Sequence, residues 1–218
     1  MSQKSADAAL TASAWLARVR ALEGRGELLL AYDVAQQGLT ACPDDLWLRH
    51  RAVLVLAKAG ATARARAELQ RLSLVGHAEA EIAALEARLA KDAALAAPPE
   101  QRRDLLLRAA DLYERVYRRA GGYYPGINLA SLRLLAGDVA TAERVAGEVL
   151  PLCDQAAGDG FYAAVTRAEA LLVRGETAAL ADDLAARGID ETILLPLAAP
   201  TIITYTGHMI AAPGAAGR

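Results

Sequence analysis

One short phrase returns in this chain at a fixed interval. Ala21-Leu22-Glu23-Gly24-Arg25-Gly26-Glu27 is followed by Ala31 and Leu39, and Ala57-Lys58-Ala59-Gly60-Ala61 by Ala65, so Gly26 to Gly60 and Ala31 to Ala65 both span 34 residues. A recurrence of that length constrains the fold more than any single motif. Each unit is too short to bury its own apolar face and has to stack on its neighbours. A glycine between two antiparallel helices supplies a positive φ, and a small residue one turn into the second helix lets the pair approach closely. Pro43 closes the first unit after a helix ending near Ala41, and Asp44-Asp45 place negative charge at the start of the next helix, where the macrodipole favours it.

The phrase recurs as Leu134-Leu135-Ala136-Gly137-Asp138 with Ala142 and Leu150, and as Leu171-Leu172-Val173-Arg174-Gly175-Glu176, the two glycines lying 38 residues apart. Gly60 to Gly137 spans 77 residues, more than two regular repeats, so the middle of the chain must hold a pair of extended helices. There Ile82, Leu85, Leu89 and Leu95 recur at helical spacing between Ala78 and Ala96, Pro98-Pro99 break the chain, and Asp104 to Arg119 gathers Leu105, Leu106, Ala109, Leu112, Tyr113 and Val116 on one face. Gly121-Gly122-Tyr123-Tyr124-Pro125-Gly126 reads as the clearest loop, with the next helix starting at or just after Pro125. Helices are expected near 5–23, 27–41, 45–59, 62–74, 78–96, 101–119, 126–136, 139–150, 160–174 and 177–187. After Gly188 the character changes. Thr201-Ile202-Ile203-Thr204-Tyr205, flanked by Pro200 and Gly207, reads as one strand, which is unstable alone and is expected to pair with strands outside this chain or to lie against the helices.

With this period and these residue positions the chain resembles the tetratricopeptide-repeat proteins. The expected fold is all-α, a tetratricopeptide-like α-solenoid of about ten antiparallel helices with one C-terminal β-strand; residues 1–188 form the helical-repeat domain and residues 189–218 a linker and the first strand of a truncated α/β domain. Composition agrees, since 54% hydrophobic residues with only 5% aromatics suits helices packed through small side chains and disfavours an all-β or disordered chain.

A formal charge of −2 and a pI near 6.0 give no general attraction to nucleic acid. The local groups Arg64, Arg66, Arg71 and Arg102, Arg103, Arg108 read as solvated arginines on helix faces. Cys42 and Cys153 are far apart with no CxxC or His/Cys cluster, so neither a disulfide framework nor a zinc site is indicated and two buried or half-buried thiols are expected. No basic segment followed by an apolar one opens the chain and no run of 18 apolar residues lacks charge, so a soluble, cytoplasmic protein is expected, with no membrane partner.

The sequence carries no nucleophile elbow, P-loop, HExxH or strand-linked GxGxxG, so no enzyme and no cofactor is expected. His50, His77 and His208 stand in unrelated contexts and read as packing or surface residues. His208 follows the strand in Thr206-Gly207-His208-Met209, at the end where nucleotide-binding α/β domains place contacts, but such a site needs a following helix N-terminus. Asp44-Asp45 and Asp182-Asp183 fit capping and dipole roles. Tyr123-Tyr124 admits two readings: exposed anchors for a partner, or rings of which at least one plugs the gap between the long helix and the next repeat. Asn128 suits a local bond to backbone at the helix start, with partner contact as the second reading.

Glu86-Ala87-Arg88-Leu89-Ala90-Lys91-Asp92, Leu112-Tyr113-Glu114-Arg115, Tyr123-Tyr124-Pro125-Gly126-Ile127-Asn128-Leu129-Ala130 and Leu134-Leu135-Ala136-Gly137-Asp138 together resemble the TRAF-binding domain, a helical-repeat region of apoptosis signal-regulating kinases and of bacterial multidomain proteins. The resemblance runs from about Leu22 to Gly175 and implies a scaffold that is one region of a larger signalling protein. The leading expectation is a non-catalytic interaction module for a protein or peptide partner or an adjoining domain, with Arg88, Lys91, Tyr123, Tyr124 and Asn128 as contact candidates. The alternatives are a sensor of a nucleotide-like ligand controlling an attached effector, and a homo-oligomer built through apolar terminal elements.

Overall fold

The recurring glycines close their helices with the same pair of backbone bonds. In the computed structural model, which describes residues 10–156 and 160–186, Glu27 N–H reaches the Leu22 carbonyl and Gly26 N–H the Glu23 carbonyl at 3.0 Å each. The pattern repeats as Ala61 to Leu56 with Gly60 to Ala57, as Asp138 to Arg133 with Gly137 to Leu134, and as Glu176 to Leu171 with Gly175 to Leu172. This is the Schellman arrangement, which needs a left-handed residue at the position after the cap; Gly26 and Gly60 supply it with φ of 76° and 73°. One position makes the same turn without glycine. Leu74 bonds Leu69 and Ser73 bonds Gln70, with Ser73 at φ 55°. Relieving the Cβ strain there, Ser73→Gly is expected to stabilise the fold by about 1 kcal/mol, read as a higher urea midpoint; an unchanged or lower midpoint would contradict that reading.

The described residues form ten α-helices and no strand. Ala12–Gly24 (α1), Leu28–Ala41 (α2), Leu46–Lys58 (α3), Thr62–Arg71 (α4) and Ala80–Leu95 (α5) belong to one compact unit, Met1–Ala96. Pro99–Ala120 (α6), Tyr123–Leu135 (α7), Val139–Gln155 (α8), Gly160–Val173 (α9) and Thr177–Ala186 (α10) belong to a second, Ala97–Arg218. The fold class is therefore all-α and tetratricopeptide-like, as the period implies. The boundary falls between Ala96 and Ala97, just before Pro98-Pro99. The C-terminal strand expected at Thr201–Tyr205, the segment 189–218 and His208 lie outside the described residues.

In the first unit each helix packs on the next, and α1 also touches α3 and α3 touches α5, the neighbour-plus-one contacts of stacked helical pairs. Ala31, Ala65 and, in the second unit, Ala142 are fully buried one turn into their helices, where the sequence placed small residues for close approach. Trp15 is 1% exposed, and its ring lies 3.0 Å from where a Cβ on Gly38 would stand, so α1 and α2 touch almost backbone to ring. In the second unit α6, α7, α8, α9 and α10 pack in sequence, and α7 also meets α9.

Several helix ends differ from the sequence reading, each for a local reason. Among the described residues the first helix begins at Ala12, where the Thr11 side chain accepts the Ala14 N–H and caps it; residues 5–9 of the expected helix lie outside them. The fourth stops at Arg71 because Ser73 turns left-handed. The long helix starts at Pro99, since proline at a first helical position gives up no bond, and Arg102 bonds the Ala97 carbonyl at 2.9 Å. α8 runs through Pro151 to Gln155 where a stop near 150 was expected: Val149 and Cys153 on either side are 0% and 7% exposed, and their burial carries the helix past one missing backbone bond.

Candidate partner-binding site

α6 and α7 are joined by two residues, Gly121 and Gly122, with φ of 67° and 91°, a reversal that side-chain-bearing residues resist. Because these two glycines make the whole turn, helix begins immediately after them. Tyr123 and Tyr124 are its first residues, not part of a loop as the sequence reading had it, and Pro125 follows in the first turn, where its missing N–H costs nothing. Gly126 is the point of closest approach in this unit: a Cβ there would stand 2.6 Å from Val149 Cγ2 on α8 and 3.0 Å from Tyr117 Cε2 on α6. Its absence lets α7 sink between its two neighbours. Asn128 is 6% exposed and its amide donates to the Tyr124 carbonyl at 2.8 Å, the local bond the sequence suggested, so its side chain holds the first turn and is not presented at the surface.

Tyr124 remains 46% exposed, standing edge to face on the fully buried Tyr113 at 6.2 Å between ring centres. Tyr123 is half-buried. One ring of the pair is thus open and rests on a fixed aromatic base.

The second unit then repeats the arrangement. Ser131 on α7 donates to Glu169 on α9 across 2.5 Å, and these residues are 38 positions apart, the interval that also separates Gly137 from Gly175. Carried through the same interval, Tyr123 and Tyr124 map onto Phe161 and Tyr162 at the start of α9. Both are open, 46% and 66% exposed, with their rings edge to face at 5.6 Å. Two successive repeats therefore offer an aromatic pair at the same position, in a chain where aromatics make up 5% of residues. The sequence reading missed Phe161 and Tyr162, although the 38-residue interval it recorded was the signal that would have found them.

The same end carries basic side chains. Arg115 and Arg119 in the last turns of α6 are exposed and enter no ion pair among the described residues, while Arg118 reaches Glu114 at 3.3 Å. Nearby carboxylates are engaged: Glu148 takes Arg144 at 2.5 Å and the Tyr117 hydroxyl at 3.5 Å. Burial, and then the Glu148 charge, push the Tyr117 phenol above its usual range.

Arg88 and Lys91 belong to α5 of the first unit and are half-buried, with Arg88 3.8 Å from Asp92. The five contact candidates do not form one constellation within either unit. The arginines read as solvated are partly structural: Arg64 lies over the Tyr32 ring at 5.1 Å, Arg71 binds the nearly buried Glu68 at 2.6 Å, and Arg103 bonds the Ala136 carbonyl that ends α7 at 3.0 Å.

The other polar centre is in the first unit. Glu23, its side chain 9% exposed, takes Arg51 at 3.0 Å and Lys58 at 2.5 Å. Burial alone would raise this carboxyl, but the two cations outweigh it and hold it below the usual range. His50 beside them is 4% exposed, packs edge to face on Trp47, and is lowered to about 4 by burial and then by the Arg51 charge. It is a neutral packing residue. His77 Nδ1 accepts the Glu79 N–H at 3.0 Å. Among the described residues no group of three His, Cys, Asp or Glu could hold a metal ion, and no helix is long and apolar enough to cross a membrane. Cys153 is buried and Cys42 half-buried.

A model of the family described as Tetratricopeptide Repeats-Sensor matches residues 27–133, from the start of the second helix to near the end of α7. The match takes in Tyr123, Tyr124 and Asn128 and stops before Phe161 and Tyr162. No curated protein matches the chain significantly.

Proposed function

We propose that this tetratricopeptide-like repeat protein is a non-catalytic interaction module, and that the aromatic end of its second unit is the surface that recognises a protein or peptide partner. The observation that carries this reading is the repetition of an exposed aromatic at one register position, Tyr124 on α7 and Tyr162 on α9. An open ring exposes apolar area to water at a free-energy cost, and aromatic anchors supply much of the binding energy at interfaces. Several charged groups elsewhere are tied up in structure: Arg51 and Lys58 by Glu23, and Arg167 by Asp154 and Asp183 at 3.0 and 2.9 Å. The likeness to the TRAF-binding region supports placing the module in a larger signalling protein, where it positions or restrains an effector.

The test is retention of a partner from the native host, measured quantitatively on the wild-type chain and on Tyr124→Ala/Tyr162→Ala. The double variant is expected to lose affinity about tenfold or more, with its melting temperature kept because both rings are open. Arg88→Ala/Lys91→Ala is expected to retain the partner. Equal retention by the aromatic variant would remove this surface from consideration.

A second reading, a sensor of a nucleotide-like anion that controls an attached effector, draws support from the description of the matched family. Ligand binding to the native state raises its melting temperature by mass action. A reproducible shift with nucleotides, absent in the same assay with inorganic phosphate, would move the weight to this reading.

A further inference from the structure

We infer that the partner seated on this aromatic end is an acidic peptide segment carrying its own aromatic or aliphatic side chains; the inference rests on the interaction reading above and adds the partner's chemistry to it. Three observations select this occupant. Tyr124, Phe161 and Tyr162 give the end three open rings, which favour apolar or aromatic groups laid against their faces and edges. Arg115, Arg118 and Arg119 stand at the same end, in the last turns of α6 where α7 begins, and two of them have no carboxylate partner among the described residues. The third pairs with Glu114 at 3.3 Å, so the local surplus of positive charge rests on Arg115 and Arg119.

Nucleic acid would also stack on tyrosines and pair with arginines. The charge of the unit argues against it. Residues 97–218 carry 12 arginines, no lysine and 15 aspartates and glutamates, so a polyanion extending beyond the arginine rim meets net negative charge. A short acidic segment matches the rim and avoids the rest.

The probe is a labelled random copolymer of glutamate and tyrosine, titrated into the full chain by fluorescence anisotropy, with polyglutamate, a lysine–tyrosine copolymer and oligouridylate as comparisons. Binding of the glutamate–tyrosine copolymer is expected to exceed that of all three. Arg115→Glu/Arg119→Glu is expected to weaken it about tenfold and remove its salt dependence, while Arg115→Lys/Arg119→Lys keeps most of it. Tyr124→Ala/Tyr162→Ala weakens it to a similar degree. Stronger binding of oligouridylate through the same residues assigns a nucleic acid instead, and preference for the lysine copolymer overturns the charge assignment. A host partner lost on aromatic substitution but indifferent to Arg115→Glu/Arg119→Glu leaves the interaction reading standing and defeats this one. A partner indifferent to both substitutions defeats both.

Discussion

Gly126→Val is expected to destabilise the second unit by about 3 kcal/mol, the upper end of what overpacking a close helix contact costs. The Cβ alone would stand 2.6 Å from Val149 Cγ2, and Val149 is a β-branched residue, 0% exposed, with few rotamers to retreat into. The second obstacle, Tyr117 at 3.0 Å, is held by its neighbours on α6 and by Glu148. The loss is read from urea unfolding followed by tyrosine fluorescence. Adding Val149→Ala should recover part of it, because the two changes act on one contact and are not additive. As a control, Gly24→Ala at the end of α1, where nothing lies within 4 Å, should shift stability by no more than about 0.5 kcal/mol. A Gly126→Val chain as stable as wild type would show that α7 does not depend on this approach. Since Gly126 sits two residues after Tyr124, displacement of α7 should also weaken partner binding.

The second large effect is loss of stability in mild acid, confined to the first unit. His50 is held near pKa 4 in the folded chain against 6.5 for a free histidine. Above pH 6.5 it is neutral in both states and contributes no pH dependence. As the pH falls from 6.5 towards 4, the unfolded chain takes the proton and the folded chain does not, so unfolding becomes easier by up to about 3 kcal/mol. Glu23 acts in a lower window. Its folded pKa lies below the usual 4.5, so its contribution is present above that value and lost as the pH drops through the folded pKa. Both tryptophans, Trp15 and Trp47, belong to the first unit, so tryptophan fluorescence in urea isolates it. His50→Leu should flatten the profile between pH 6.5 and 4.5 and leave the Glu23 decline. A profile of unchanged slope in that variant would show that His50 is not the group responsible.

The order of helices was legible because it depends on local chemistry. Gly26, Gly60, Gly137 and Gly175 each close a helix by the same Schellman bonds, and those bonds need only a left-handed residue at one position. The alanines that follow are buried as their size requires. Asn128 found its partner four residues back, within reach of sequence reasoning. Contacts between distant residues were not legible. Nothing local says that Pro151 lies inside a helix, because burial of Val149 and Cys153 against other elements decides it.

The candidate site divides along the same line. The sequence by itself determined the repeat, the all-α class and the presence of Tyr123 and Tyr124 at a repeat junction, since periodicity, glycine geometry and residue type are properties of a chain segment. Only the tertiary structure decided that Tyr124 is open while Asn128 is covered, that Arg88 and Lys91 belong to a different unit, and that Phe161 and Tyr162 repeat the first aromatic pair on the neighbouring helix. Exposure is set by what other helices cover, and a segment carries no record of its neighbours across space.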